Sequence, residues 1–259
     1  MAAVIFDLDG VLLESEPLWA ATRREVAHAL GGRWRPQAER AMKGMNTSEW
    51  STYMQRHLEI TRSREEIVDA VLGRMRAQYH NELPVIEGAQ AAIERLGDRW
   101  PLALASSSNR ALINLVLDLT AWSTRFAVTV SSEEVARGKP APDVYLEAAR
   151  RLGNPAGSCA AIEDSASGIR SAAAAGMRVV ALPRPGVDVG IDELALAATV
   201  LASPAQLAPE VVGPLLSTNV PGRPLEHAAA AARKARVVIT PARGLSFGSE
   251  PGPGDSDGG

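Results

Sequence analysis

The chain has 259 residues, with 27 Lys and Arg against 30 Asp and Glu and a formal net charge of −3. That balance gives no electrostatic case for nucleic acid or an anionic membrane. The length fits one or two domains with a sizeable core, and the composition is that of a soluble globular protein. The single cysteine, Cys159, excludes an internal disulfide framework and, set in an Ala-rich strand-like run, reads as a buried small hydrophobe. A reducing, cytoplasmic location is expected. No signal peptide is visible, no apolar run reaches the length of a membrane span, and the four histidines lack ligand spacing for zinc.

Ala3-Val4-Ile5-Phe6 is a continuous apolar run ending in acids, which suits the central strand of a parallel sheet covered on both faces. Ser15 reads as an N-cap with Pro17 in the first turn. Leu18, Thr22, Val26, Ala29 and Leu30 follow at helical spacing, and Gly31-Gly32 stops the helix. From about residue 15 to 82 only helices are expected. Leu83 to Ile86 is an extended connector, and Glu87 to Leu96 a helix with Ala91, Ile93 and Leu96 inward.

Strand and helix then alternate. Strands are expected over 101–105, 127–130, 159–162 and, as the last clear one, 179–182. Helices are expected over 110–119 (Leu112, Leu115, Val116 and Leu119 inward), 143–152 (Tyr145, Ala149 and Leu152 aligned) and 165–175, the last stopped by Gly176. Such alternation predicts an α/β fold: a doubly wound, Rossmann-like parallel sheet with an inserted all-helical cap. The expected division is a catalytic core over 1–14 and 86–214, a cap over 15–85, and an unassigned tail over 215–259. Val237 to Thr240 reads as a weak extra strand, and Ser246 to Gly259 as a disordered end.

Ligands of an open parallel sheet bind beyond the carboxyl ends of its strands. Four polar segments fall at or near such ends. Asp7 and Asp9, two apart, share a face of an extended strand and need a cation or a proton between them, although solvated turns carry the same pattern. Glu163-Asp164 is a second acid pair that either caps the following helix or completes an oxygen cluster suited to Mg²⁺. Ser106-Ser107-Ser108-Asn109 offers hydroxyls and N–H groups for an anion, with Ser108 also fitting plain N-capping of the helix from Arg110. Lys139, between Gly138 and Pro140, is either a solvated loop lysine or a fixed point charge.

Taken together, Asp7-Leu8-Asp9-Gly10, Ala105-Ser106-Ser107-Ser108, Gly138-Lys139-Pro140-Ala141-Pro142-Asp143 and Ile162-Glu163-Asp164-Ser165 resemble, in order, the four motifs of the haloacid dehalogenase superfamily. The similarity is to its phosphoglucomutase-like branch with a helical cap and runs over roughly residues 1 to 210. The resemblance implies that Asp7 is a nucleophile forming an aspartyl phosphate, and that Asp9 is the general acid and then the base. It implies Mg²⁺ held by Asp7, the Asp9 backbone carbonyl and Asp164, with Glu163 acting through water. Ser106, with Ser107, and Lys139 would grip the phosphate.

The second aspartate of the first motif favours phosphoryl transfer over dehalogenation. Mutases of the branch resemble one another in carrying a histidine early in the first cap helix, where this chain has Trp19, a residue that also fits simple cap packing. They often place an arginine in the substrate loop, where Lys43 to Trp50 has none. The expected activity is therefore a Mg²⁺-dependent phosphatase for a small phosphorylated metabolite such as a sugar phosphate, with Trp19, Lys43 and Asn46 as cap contacts. A sugar phosphomutase is the enzymatic alternative, and a binding or regulatory module the non-enzymatic one. Oligomeric state and the ester itself are not legible.

Overall fold

The computed structural model describes residues 2–184 and 189–217. The expected strand at 237–240 and the C-terminal segment lie outside them. Six strands form one parallel sheet: β1 (Ala3–Phe6), β2 (Leu102–Ser106), β3 (Phe126–Ser131), β4 (Cys159–Glu163), β5 (Arg178–Ala181) and β6 (Thr199–Val200), in the order β3-β2-β1-β4-β5-β6. Every residue of β1, β2 and β4 is buried, as continuous apolar runs at the centre of a two-sided sheet require. The sequence reading stopped at β5; β6 is only two residues long and half-buried, too short to carry a strand pattern.

Four helices enter between β1 and β2: α1 (Glu16–Ala29), α2 (Ala38–Met42), α3 (Thr47–His57) and α4 (Arg64–Asn81). α3 and α4 each open with a capping box, Asn46 with Glu49 and Ser63 with Glu66. The two connectors of this insertion run side by side: Leu13 bridges Val85 in antiparallel sense, Glu14 N–H donates to the Pro84 carbonyl at 2.8 Å, and Ile86 N–H to that of Leu12 at 2.9 Å. The remaining helices are α5 (Ala89–Gly97), α6 (Arg110–Thr120), α7 (Asp143–Arg151), α8 (Ala166–Ala174), α9 (Ile191–Leu194) and α10 (Pro209–Ser217). The expected core boundary at 214 falls inside α10.

Side chains alternate across the sheet. Val4 and Phe6 join one apolar cluster, which also holds Ile93, Val116 and the insertion's Trp19, Met54 and Met75. Ala3 and Ile5 join the other, with Tyr145, Ala148 and Ile169.

Three helix faces differ from expectation. In α1 the buried residues are Trp19, Thr22, Arg23, Val26 and Ala27, whereas Ala29 is exposed and Leu18 half-buried. In α5 Ala92 rather than Ala91 faces inward, and in α6 Ile113 and Leu117 take the place of Leu115 and Leu119. These helices are rich in Ala and Leu on adjoining faces, so 3.6-residue spacing accepts more than one phase and packing selects one. The glycine stops hold, with Gly31 and Gly176 both at φ 78°.

Truncating Leu104, 1% exposed, to alanine lowers stability by about 2–5 kcal/mol, whereas Leu119→Ala, at 43% exposure, costs under about 1 kcal/mol in chemical denaturation.

Candidate active site

The order of strands reverses at β1, so the carboxyl ends of β2, β1 and β4 border one crevice. Register makes the ends level: Phe6 pairs with both Leu104 and Ile162, and Asp7 N–H donates to the Ile162 carbonyl at 3.0 Å. Asp7, the Ser106–Ser108 segment and Glu163-Asp164 thus leave the sheet together. α1, Trp50 of α3 and the loop between α2 and α3 cover them, leaving a partly open cavity of about 60 Å³.

Lys139 is the hub of the buried floor. Its ammonium donates to Asp7 Oδ1 at 2.7 Å, to Glu163 Oε1 at 2.6 Å and to the Ala105 carbonyl at 3.1 Å. Three acceptors match its three protons. It therefore reaches a ligand as a fixed positive charge, with its donors already engaged, which differs from the expected grip on phosphate oxygens. Tyr145 donates to Glu163 Oε1 at 2.7 Å, and Glu163 Oε2 takes the N–H of Asp164 at 3.1 Å and the Ser165 hydroxyl at 3.2 Å.

Asp7, Glu163 and Asp164 each bring a carboxylate oxygen within 4.8 Å of the others. Burial, reinforced by the charges of Glu163 and Asp9 against the opposing Lys139, lifts the Asp7 carboxyl to about 8. Burial likewise raises Asp164 well above the usual carboxylate range, with Glu163 and Asp7 adding to it. Three carboxylates against one ammonium leave an excess of two negative charges when all are ionised. Hard oxygen donors with that excess fit a divalent cation. The Asp9 carbonyl accepts none of the turn's backbone hydrogen bonds among the described residues.

Two glycines make room for these acids. Gly10 has φ +86°, and a Cβ there would lie 2.1 Å from Asp164 Oδ2; a Cβ on Gly168 would lie 1.9 Å from the Glu163 carboxylate.

Asp9 is held on both oxygens, by the Ser15 hydroxyl on Oδ1 and by the Ser108 hydroxyl on Oδ2 at 2.6 Å. Neither serine does what its position in the sequence suggested. Ser15 makes no side-chain cap on α1, and Asn109, not Ser108, caps α6 by accepting the Ala111 N–H at 2.9 Å. Ser106 is also displaced from expectation. It is fully buried, its hydroxyl accepts the Ser108 N–H at 3.0 Å, and it stays behind the cavity wall that Ser107, Ser108 and Asn109 form.

Of the expected cap contacts, Trp19 and Lys43 line the cavity. Asn46 does not: its side chain accepts the Glu49 N–H at 3.0 Å as the cap of α3. Met45 and Trp50, within the expected substrate loop, also line the cavity, whereas the sequence reading missed Glu16, Arg23 and Ser167 in the lining and Tyr145 in the floor. An Arg23 on an inward face was the available signal, since a buried arginine demands a partner. Cys159 is buried beneath, its thiol pushed up to about 11 by desolvation, and is inert.

Fold and site define an α/β hydrolase with a carboxylate-lined crevice at the strand ends, and comparison with known proteins agrees. Residues 1–176 match the family model described as haloacid dehalogenase-like hydrolase, and the chain belongs to that family. It is 32% identical over 184 residues to a bifunctional riboflavin kinase/FMN phosphatase of Arabidopsis thaliana, covering 70% of this chain and about half, 48%, of that protein. It is 32% identical over 190 residues to hexitol phosphatase B of Escherichia coli K12, covering 71% of this chain and 84% of the relative. The crystal structure of CbbY from Rhodobacter sphaeroides with phosphate superposes with a TM-score of 0.70 at 26% identity, over 80% of this chain and 96% of that one. The chain is thus a hydrolase-type member of the family, and no helix among the described residues is long and apolar enough to cross a membrane.

Gly10→Ala forces a side chain onto the Asp164 carboxylate at a left-handed backbone position, so divalent-cation affinity, read by calorimetry, falls by about tenfold or more while far-UV circular dichroism keeps its shape. The raised Asp7 carboxyl also sets a pH trend. The native state holds a proton that the unfolded chain releases near 3.8, so this contribution to stability is full below about pH 4 and lost as pH rises towards about 8. Lys139, itself raised by Asp7 and Glu163 against its desolvation, titrates above that window. In chelator the unfolding midpoint falls between about pH 5 and 8, and an added divalent cation restores it most at the alkaline end.

Proposed function

We propose that this protein hydrolyses a small phosphorylated metabolite, a sugar phosphate being the nearest case, with Mg²⁺ as its cation and α1–α4, residues 15–85, as a cap over the site. The observation that carries the reading is the placement of Asp7. Lys139 engages its Oδ1, no hydrogen bond is made to Oδ2 among the described residues, and Asp7 lines the cavity. That oxygen is the nucleophile, attacking phosphorus to form an aspartyl phosphate. Its attack on an anionic ester is repulsive, and the fixed charge of Lys139 offsets part of that repulsion.

Asp9 protonates the leaving oxygen and then takes a proton from the attacking water. The Ser15 and Ser108 hydroxyls hold its carboxyl in place for both steps. Ser107, at the start of α6, and the neighbouring N–H groups receive phosphate oxygens. Asp7, Asp164 and the Asp9 carbonyl would hold Mg²⁺, which would supply neutralisation of the phosphoryl charge; Glu163, whose oxygens are engaged by Lys139, Tyr145 and Ser165, supports this set. The cavity of about 60 Å³ has room for only a few water molecules, so a substrate larger than phosphate enters by movement of the cap about the paired connectors at 12–14 and 84–86.

Asp7→Asn removes the nucleophile and lowers release of inorganic phosphate from an aryl phosphate in Mg²⁺ by about a thousandfold or more. Equal turnover by the variant and the parent would sink this assignment. Product analysis on sugar phosphates separates hydrolysis from transfer: free phosphate supports the phosphatase, an isomeric sugar phosphate the mutase.

A further inference from the structure

Arg23 lines the cavity with its burial unmatched by the bonds around it. It is 4% exposed, yet of its five donors only Nη1 makes a close hydrogen bond, to the Met42 carbonyl at 2.9 Å. Its Nε is buried and has no partner. The Glu16 carboxylate stands 3.8 Å from Nη2, beyond hydrogen-bond reach, and the Trp19 ring centre lies 5.2 Å from the guanidinium carbon. A desolvated guanidinium with a bare N–H is costly, and such a group is explained when an acceptor is delivered to it.

The charges around it tell which acceptor. At the catalytic end the cavity is lined by Asp7, Asp9 and Asp164 with Lys139. At the α1 end it is lined by Arg23, Lys43 and Glu16, two cations to one carboxylate. Asp9, at the catalytic end, and Glu39 on α2, exposed and outside the lining, are the other acids whose fields reach Arg23. The cavity is therefore polarised, negative where a cation and a phosphoryl group would sit and positive across from them. A guanidinium fork matches two oxygens of one planar or tetrahedral oxyanion, which a single hydroxyl does not.

We infer that Arg23, supported by Lys43, receives a second oxyanion at the non-reacting end of the substrate, so that the favoured esters are phosphorylated carboxylic acids or bisphosphates rather than neutral phosphorylated polyols. This rests on the hydrolytic reading above and narrows its substrate class. Glu16, beside Arg23, is placed to accept a hydroxyl between the two anionic ends.

The test compares kcat/KM for three small phosphomonoesters that differ at the far end: 3-phosphoglycerate, propane-1,3-diol bisphosphate and glycerol 1-phosphate. The parent protein favours one or both charged-end esters. Arg23→Gln lowers the ratio of charged-end to hydroxyl-end kcat/KM by about tenfold or more, and Arg23→Lys recovers part of it. The ester whose ratio falls further identifies carboxylate or phosphate as the bound group. Equal losses on all three esters, or a parent that favours glycerol 1-phosphate, overturn the inference. Should Arg23→Gln fail to fold, the lysine variant decides alone: a lowered ratio supports the inference and an unchanged one refutes it. If the parent turns over no ester, the hydrolytic reading is what fails. Calorimetry with phosphonoacetate against ethylphosphonate then still reads Arg23, since loss of the phosphonoacetate preference in the variant supports the second oxyanion site and an unaltered preference refutes it.

Discussion

Lys139 lies between two buried carboxylates, 2.7 Å from Asp7 and 2.6 Å from Glu163, with side-chain exposures of 3%, 9% and 0%. Burying three charges is expensive, and their mutual attraction offsets the cost only when geometry and further hydrogen bonds are good. Here the further bonds are present: the Ala105 carbonyl to Lys139, and Tyr145, Ser165 and the Asp164 N–H to Glu163. The network ties β1, β2, β4, α7 and the loop carrying Lys139 into one unit. It also fixes Asp7, since the ammonium that neutralises it selects one carboxylate oxygen and leaves the other towards the cavity. Adding Asp164 tips the balance to two excess negative charges, and the electrostatic cost of that excess is what makes the floor a place for a divalent cation.

The sheet supplies this unit because its strand order reverses at β1. Parallel strands with levelled carboxyl ends deliver residues 7, 106 and 163 to one edge, though they lie far apart along the chain. The four-helix insertion closes the edge from above. Its connectors are bonded to each other, and its apolar residues share a cluster with Phe6 and Val116. The insertion is therefore fastened to one face of the sheet, while its polar positions on α1 turn towards the chemistry. Ser15, at the first of these connectors, bonds to Asp9 and couples the entry of α1 to the position of that carboxylate.

Close packing extends to the acids themselves. Asp164 and Glu163 occupy volumes that a side chain on Gly10 or Gly168 would fill, so backbone without Cβ is part of the site's shape. At the α1 end, tryptophans at 19 and 50 lie with ring centres 6.2 Å apart and build an apolar wall around the polar groups. A low-dielectric wall strengthens every charge interaction inside it.

The amino-acid sequence by itself determined the α/β alternation, the helical insertion after β1, the family, and the set Asp7, Asp9, Lys139, Glu163 and Asp164. Each of these rests on local order: apolar runs ending in acids, glycine stops, and short motifs in a fixed succession. Tertiary structure alone decided which hydroxyl meets which acid, that Lys139 spends its donors on Asp7 and Glu163, that Asn46 caps α3, and that α1 turns Arg23 inward. Those outcomes depend on helix phase and on contacts between residues tens of positions apart. A one-dimensional pattern of apolar and polar residues is compatible with several phases, and only simultaneous packing of all the elements selects among them.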